Sequence, residues 1–206
     1  MLKPEIIKSI TNLYGYEEYR NLVISLADEK KTTGEQTEEH IAATLINSQR
    51  IKRIDKQCEL NSELKNALDL IGTPYKWIVI TESWCGDGAQ NLPVIAKMAA
   101  YSSHVNLQII LRDQNLETMD MFLTNGSRSV PKLICLDANS NKIIGTWGPR
   151  PKTIQNMVVD YKAKFPNADH EEFVTSLHLW YARDKTQAIQ LEFTQLLKEW
   201  RLKETA

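Results

Sequence analysis

The residues Ser83-Trp84-Cys85-Gly86-Asp87-Gly88-Ala89-Gln90 place a thiol and a carboxylate two positions apart, with a glycine on either side of the carboxylate. They follow the apolar run Trp77-Ile78-Val79-Ile80, so Cys85 is expected where a buried strand turns into a helix. A thiol reacts as the thiolate, and free backbone N–H groups at a helix N-terminus lower its pKa. Gly86 and Gly88 let the chain turn sharply there. Asp87 acts in the opposite sense, because a nearby carboxylate disfavours a negative sulfur. The two effects together predict a modest net shift for Cys85. Glu82 and Asp87, on either side, have the chemistry of proton relays, but carboxylates near a helix start are more often capping groups.

The other cysteines are Cys58 and Cys135. Cys135 lies in the apolar run Leu133-Ile134-Cys135-Leu136, where a small buried thiol is the usual occupant. Cys58 ends a helical stretch carrying Lys52, Arg53 and Lys56. It is the candidate resolving thiol for Cys85 if that helix folds over the site. Three cysteines are too few for a disulfide framework, and an odd count leaves one thiol free, which points to a reducing, cytoplasmic compartment. His40, His104, His170 and His178 stand apart from one another and from the cysteines, so no metal site is expected. There is no G-x-G-x-x-G, P-loop or G-x-S-x-G segment, which disfavours nucleotide-dependent and serine-hydrolase chemistry.

These residues must be positioned by a chain of 206 residues, enough for one buried core with an appendage. Its 25 basic and 26 acidic residues give no electrostatic reason for a nucleic-acid or anionic-membrane partner. No run approaches the roughly 18 apolar residues of a membrane span, and the opening residues lack the pattern of a secretory signal. Residues 1–72 read as a helical lead-in, with apolar positions at three- and four-residue steps such as Tyr19, Leu22, Val23 and Leu26. Within it the polar run Glu29 to Glu39 reads as a solvated loop before a capped helix. From Gly72-Thr73-Pro74 the pattern changes to a strand at 75–81, a helix at 86–101, a strand at 105–112 and a short helix near 116–123. Two strands at 131–137 and 142–147 then form a hairpin, and a helix opens with Pro151 in its first turn. Residues 167–206 are helical again and are expected to pack on the sheet domain of residues 73–166.

Trp84-Cys85-Gly86, followed by Pro93 inside the helix, resembles the active-site segment of thioredoxins. Gly126-Ser127-Arg128-Ser129-Val130-Pro131 resembles their cis-proline loop. The resemblance implies a thioredoxin-like α/β fold, three layers around a mixed sheet, here with N- and C-terminal helical extensions like those of a bacterial thioredoxin-like subgroup. It also implies a cis bond at Pro131, a substrate strand laid along Val130, and Trp84, Gly86, Asp87 and Gly88 as the active-site loop around Cys85. Arg128 has the fork to bind an acidic substrate group or glutathione's carboxylate, or it is a surface charge.

Two departures bear on function. Gly88 stands where a resolving cysteine would be, and Val79 where thioredoxins keep a buried aspartate. Cys85 is therefore expected to work as a single thiol, attacking protein or small-molecule disulfides or mixed disulfides, with release by glutathione, another external thiol or a reductase. The alternatives are a redox-inactive module that binds a peptide or protein partner, and glutathione-dependent transferase or peroxidase chemistry. No cofactor is expected beyond glutathione as co-substrate.

Overall fold

A computed structural model of the chain describes residues 10–165 and 169–204. Three helices lead in: α1 (Tyr16–Asp28), α2 (Glu38–Gln57) and α3 (Ser62–Asp69). Their starts have local causes. Thr37 accepts the His40 N–H at 3.1 Å and Asn61 accepts the Leu64 N–H at 2.8 Å, while the Glu18 carboxylate reaches back to the Gly15 N–H at 2.7 Å. Next come β1 (Tyr75–Thr81), α4 (Gly86–Tyr101), β2 (Val105–Leu111), a 3-10 turn (Arg112–Gln114) and α5 (Leu116–Asp120). The chain continues through β3 (Lys132–Asp137), β4 (Ile143–Trp147), α6 (Lys152–Lys164), α7 (His170–Asp184) and α8 (Gln187–Glu204). Pro151 is the N-cap of α6, just outside the first turn where the sequence suggests it. The expected boundary at 166/167 and the opening residues lie outside the described residues, as does the His170 side chain.

The four-stranded sheet has the order β2-β1-β3-β4, with β1 parallel to β2 and antiparallel to β3, and β3 antiparallel to β4. Right-angled side-chain alternation puts Tyr75, Trp77 and Val79 of β1 on one face and Ile78 and Ile80 on the other. Both faces are covered, which is why β1 reads as a continuous apolar run. The thicker layer holds α1, α2, α3, α4 and α8, with Leu64, Leu92, Ile95 and Phe193 fully buried. The thinner one is closed by Met119 and Phe122 around α5. A third cluster joins α6 to α7 through Ile154, Val158, Leu177 and Tyr181.

α8 packs on the sheet by its aromatic residues. Phe193 sits 5.6 Å from Trp77 and 5.3 Å from Trp147 between ring centroids, and Trp200 meets Trp77 edge-on at 6.3 Å. Gly145 on β4 makes that approach possible, since a Cβ there would overlap the Trp200 indole nitrogen. Among the described residues, no helix is long and apolar enough to cross a membrane.

The polar loop before α2 departs from the sequence reading. Most of Glu29 to Glu39 is exposed, but Thr32 and Thr33 are buried. Thr33 Oγ1 donates a short bond to Glu82 and accepts the Ser83 N–H at 2.9 Å, while Ser83 Oγ accepts the Thr33 N–H at 2.9 Å. The loop is thus tied to the residues just before Cys85, because buried Glu82 and Ser83 need partners there.

Candidate functional site

Cys85 is the N-cap residue of α4, in extended backbone conformation, at the end of β1. Its Sγ accepts the Gly88 N–H at 3.2 Å, and its thiol proton is directed at the Val130 carbonyl at 3.3 Å. Val130 precedes Pro131 across a cis peptide bond. The sulfur forms part of a cleft of about 450 Å³ bounded by the first turn of α4, the turn at Val130, α2 and α7. Trp84 stands on its wall, stacked on His40 at 4.5 Å with Arg112 4.8 Å from the ring centre on its face.

Position 88 accepts only glycine in this packing. A Cβ there would lie 2.5 Å from Thr81 Oγ1 and 3.5 Å from the Cys85 sulfur. The side chain of β1 thus fills the space a second cysteine would occupy.

Asp87 does not face solvent beside the sulfur. It is 7% exposed and receives Arg150 through Nε at 2.9 Å and a short bond from Nη2, with Tyr181 Oη donating to its other oxygen at 2.8 Å. Asn91 Nδ2 closes the group by donating to Tyr181 Oη at 3.0 Å. Burial pushes the Asp87 carboxyl up, Arg150 and Tyr181 opposing. The modest shift expected for Cys85 is overturned: burial first, and then the Asp87 charge, push the thiol up to about 12. The Gly88 N–H and Arg150 act downward but lose, because the sulfur is only 7% exposed.

Cys58 is not brought to the cleft. It caps the far end of α2, buried, with its sulfur 3.6 Å from Thr186 Oγ1 and within the field of Lys97 on α4. Lys97 is about 18 Å of helix beyond Cys85 at about 1.5 Å per residue, so Cys58 is out of reach as a resolving thiol. Cys135 lies in the core on β3, fully buried. All three cysteines are unbridged. Arg128 reaches the cleft wall, but both oxygens of Asp120 hold its guanidinium, at 2.6 and 2.8 Å, which occupies the fork proposed for a ligand.

The structure adds residues that sequence spacing sets far from Cys85. His178 of α7 packs on the turn, with ring atoms 2.8 and 2.9 Å from where a Gly86 Cβ would stand, so the separation of the histidines from the cysteines holds in sequence and fails in space. Its ring sits beside Gln90 at 3.4 Å, and burial together with the Arg50 and Arg150 cations pulls its pKa down to about 4. Arg50 of α2 also approaches Gly86. Arg150 is not among the residues singled out from sequence; the one local signal that would have marked it is Gly148-Pro149-Arg150-Pro151, a cation held between two prolines.

A family model described as thioredoxin matches residues 34–165, more than half of the chain. Among solved structures, the chain resembles a protein of unknown function from Pseudomonas aeruginosa, with a TM-score of 0.59 at 16% identity. That match covers 90% of this chain and 98% of the other. An HIV epitope-scaffold matches with a TM-score of 0.55, 16% identity and the same coverage of 90% and 98%. These likenesses concern the fold alone. A search of curated proteins gave no sequence match. With the mixed sheet, the cysteine capping α4 and the cis bond opposite it, the family match establishes that this chain belongs to the thioredoxin family.

Proposed function

We propose that Cys85 reacts as a single thiol with a protein or small-molecule disulfide, and that an external thiol such as glutathione, or a reductase, releases the product. The observation that carries this reading is the position of Cys85 Sγ in the cleft between α4 and the Val130–Pro131 turn, with neither other cysteine within reach. In the step, the thiol proton passes to solvent and the thiolate attacks one sulfur of R–S–S–R. A Cys85–S–S–R bond forms and RS⁻ leaves. A second thiolate R′S⁻ then attacks the sulfur that bears R, R′–S–S–R forms, and the Cys85 thiolate leaves and takes a proton from solvent. With the thiol pushed up to about 12, thiolate is scarce at neutral pH and Cys85 is a poor leaving group. Exchange is therefore slow in both directions, closer to stoichiometric capture than to turnover. Three unbridged thiols suit a reducing, cytoplasmic setting.

The raised thiol also favours a second reading, a redox-inactive module whose cleft holds a peptide or partner protein. Both are tested with Cys58→Ser/Cys135→Ser protein incubated with glutathione disulfide and followed by intact mass. The expected result is one adduct per chain, forming about tenfold faster for each pH unit between 7 and 10, as the thiolate fraction rises. A rate that levels off near neutral pH would contradict the raised thiol. No adduct across that range, from protein whose unfolded form does react, would leave the binding module.

A further inference from the structure

We propose that the cleft beside Cys85 binds a small, carboxylate-bearing thiol compound, and that the Arg50 guanidinium seats its carboxylate. The inference deepens the reading of this cleft as the functional site and does not require Cys85 to react. Four arginines from four separate segments line the cleft: Arg50, Arg112, Arg128 and Arg150. Three are taken by carboxylates of the chain, Arg112 by Asp113 at 2.8 Å, Arg128 by Asp120 and Arg150 by Asp87. Arg50 has no carboxylate within ion-pair distance among the described residues.

Among the described residues its one hydrogen bond is from Nη1 to Asn47 Oδ1 at 2.8 Å, which leaves most of its five donors for another group. Asn47 is itself fully buried and fixed, donating to the Ser83 carbonyl at 2.9 Å, so the guanidinium is held rather than free to swing into solvent. Nη1 stands 3.4 Å from where a Gly86 Cβ would be, beside the residue that follows the reactive sulfur.

A half-buried cation without a counter-charge is costly, and the cost is relieved by an anion that arrives with a ligand. Burial first, and then Arg53 one turn away, pull the Arg50 guanidinium down, with Asp87 only partly opposing. His178 beside it is neutral at pH 7, so it adds no second positive charge and supplies no negative one. A planar fork suits a carboxylate held by two parallel bonds. The cleft of about 450 Å³ is of small-molecule size, and Ile46, Trp84, Val174 and Leu177 offer apolar wall to a ligand's carbon frame. Size, charge and the adjacent sulfur together favour a low-molecular-weight acid that carries a thiol or disulfide.

The probe is S-methylglutathione, which cannot exchange, titrated into the full chain and followed by calorimetry. Wild type is expected to bind, Arg50→Gln about tenfold or more weakly, and Arg50→Lys in between. Arg53→Gln removes the same charge from outside the cleft lining and is expected within about twofold of wild type, which separates a seat from a general field effect. The diamide of the probe, which carries no carboxylate, is expected not to distinguish wild type from Arg50→Gln. Equal affinity of these two for S-methylglutathione itself, or no binding to wild type at millimolar concentration, would overturn the assignment. A longer peptide ending in the same Cys-Gly carboxylate that binds more tightly than the tripeptide would move the ligand from a small acid to a protein C-terminus and overturn it too. The two readings fail separately. Cys85→Ser that still binds S-methylglutathione in an Arg50-dependent way keeps the seat where exchange is lost. Adduct formation with neutral 2-hydroxyethyl disulfide, without S-methylglutathione binding, keeps exchange where the seat is lost.

Discussion

Thr81 Oγ1, 2.5 Å from where a Cβ of residue 88 would be, makes Gly88 a packing requirement as well as a missing sulfur. Gly88→Cys must displace a buried β-branched side chain, so it is expected to lower unfolding free energy by about 1–3 kcal/mol in denaturant melts. Adding Thr81→Ala should recover part of that loss; an unchanged midpoint for Gly88→Cys alone would mean that β1 yields at no cost. His178 gives a pH signature. Its ring is held down at about 4 by burial and by Arg50 and Arg150, against about 6.5 in an unfolded chain. The stability of keeping the ring neutral is present above about pH 6.5 and is lost as pH falls toward 4. His178→Gln should therefore lose less over that window than wild type, by about 1–2 kcal/mol once water at the ring is allowed for, and parallel stability curves would show that the ring titrates as in the unfolded chain. At this scale the sequence reveals Cys85 well, since a strand, a cysteine and two glycines in a row are local features. It does not reveal the sign of the sulfur's pKa shift. That depends on burial and on an aspartate whose partners lie 63 and 94 positions on.

The elements differ in how far local pattern determines them. α4 over Gly86–Tyr101 and the β3–β4 hairpin fall where periodicity and turn residues place them. The tie between the Thr32-Thr33 loop and Ser83 has no such marker, because two threonines in a polar run look the same whether they meet water or a buried glutamate. α7 is the other element whose role lies beyond its own sequence. Its stripe of Phe173, Leu177 and Tyr181 identifies a helix, and the structure adds that this helix roofs the cleft. It is fastened to α4 by Tyr181 Oη, which donates to Asp87 and accepts from Asn91. Tyr181→Phe leaves both partners buried and short of a bond, so a loss of about 1–3 kcal/mol is expected. Hydrogen exchange should rise in α7 while β1 and β3 keep their protection; a uniform rise would mean that α7 is part of the global unfolding unit.

Over the whole molecule, the near balance of 25 basic and 26 acidic residues says nothing of where the charges are placed. Arg50, Arg112, Arg128 and Arg150 reach one cleft from α2, the turn after β2, the loop before β3 and the loop after β4, which no count along the chain discloses. The C-terminal helix is bound to the sheet just as non-locally. Gly145→Ala would drive a methyl group into Trp200, and a loss of about 1–3 kcal/mol with altered Trp fluorescence is expected; native stability would mean that α8 shifts freely on β4. The chain order of the cleft has a consequence for biosynthesis. Tyr181 follows Asp87 by 94 residues, so at about 5–20 residues per second the ribosome adds the roof about 5–20 s after the sulfur has been made. Throughout that interval the nascent chain presents Cys85 without α7 above it and without Tyr181 on Asp87. Disulfides therefore meet a less covered sulfur in that interval than after the last helices have docked.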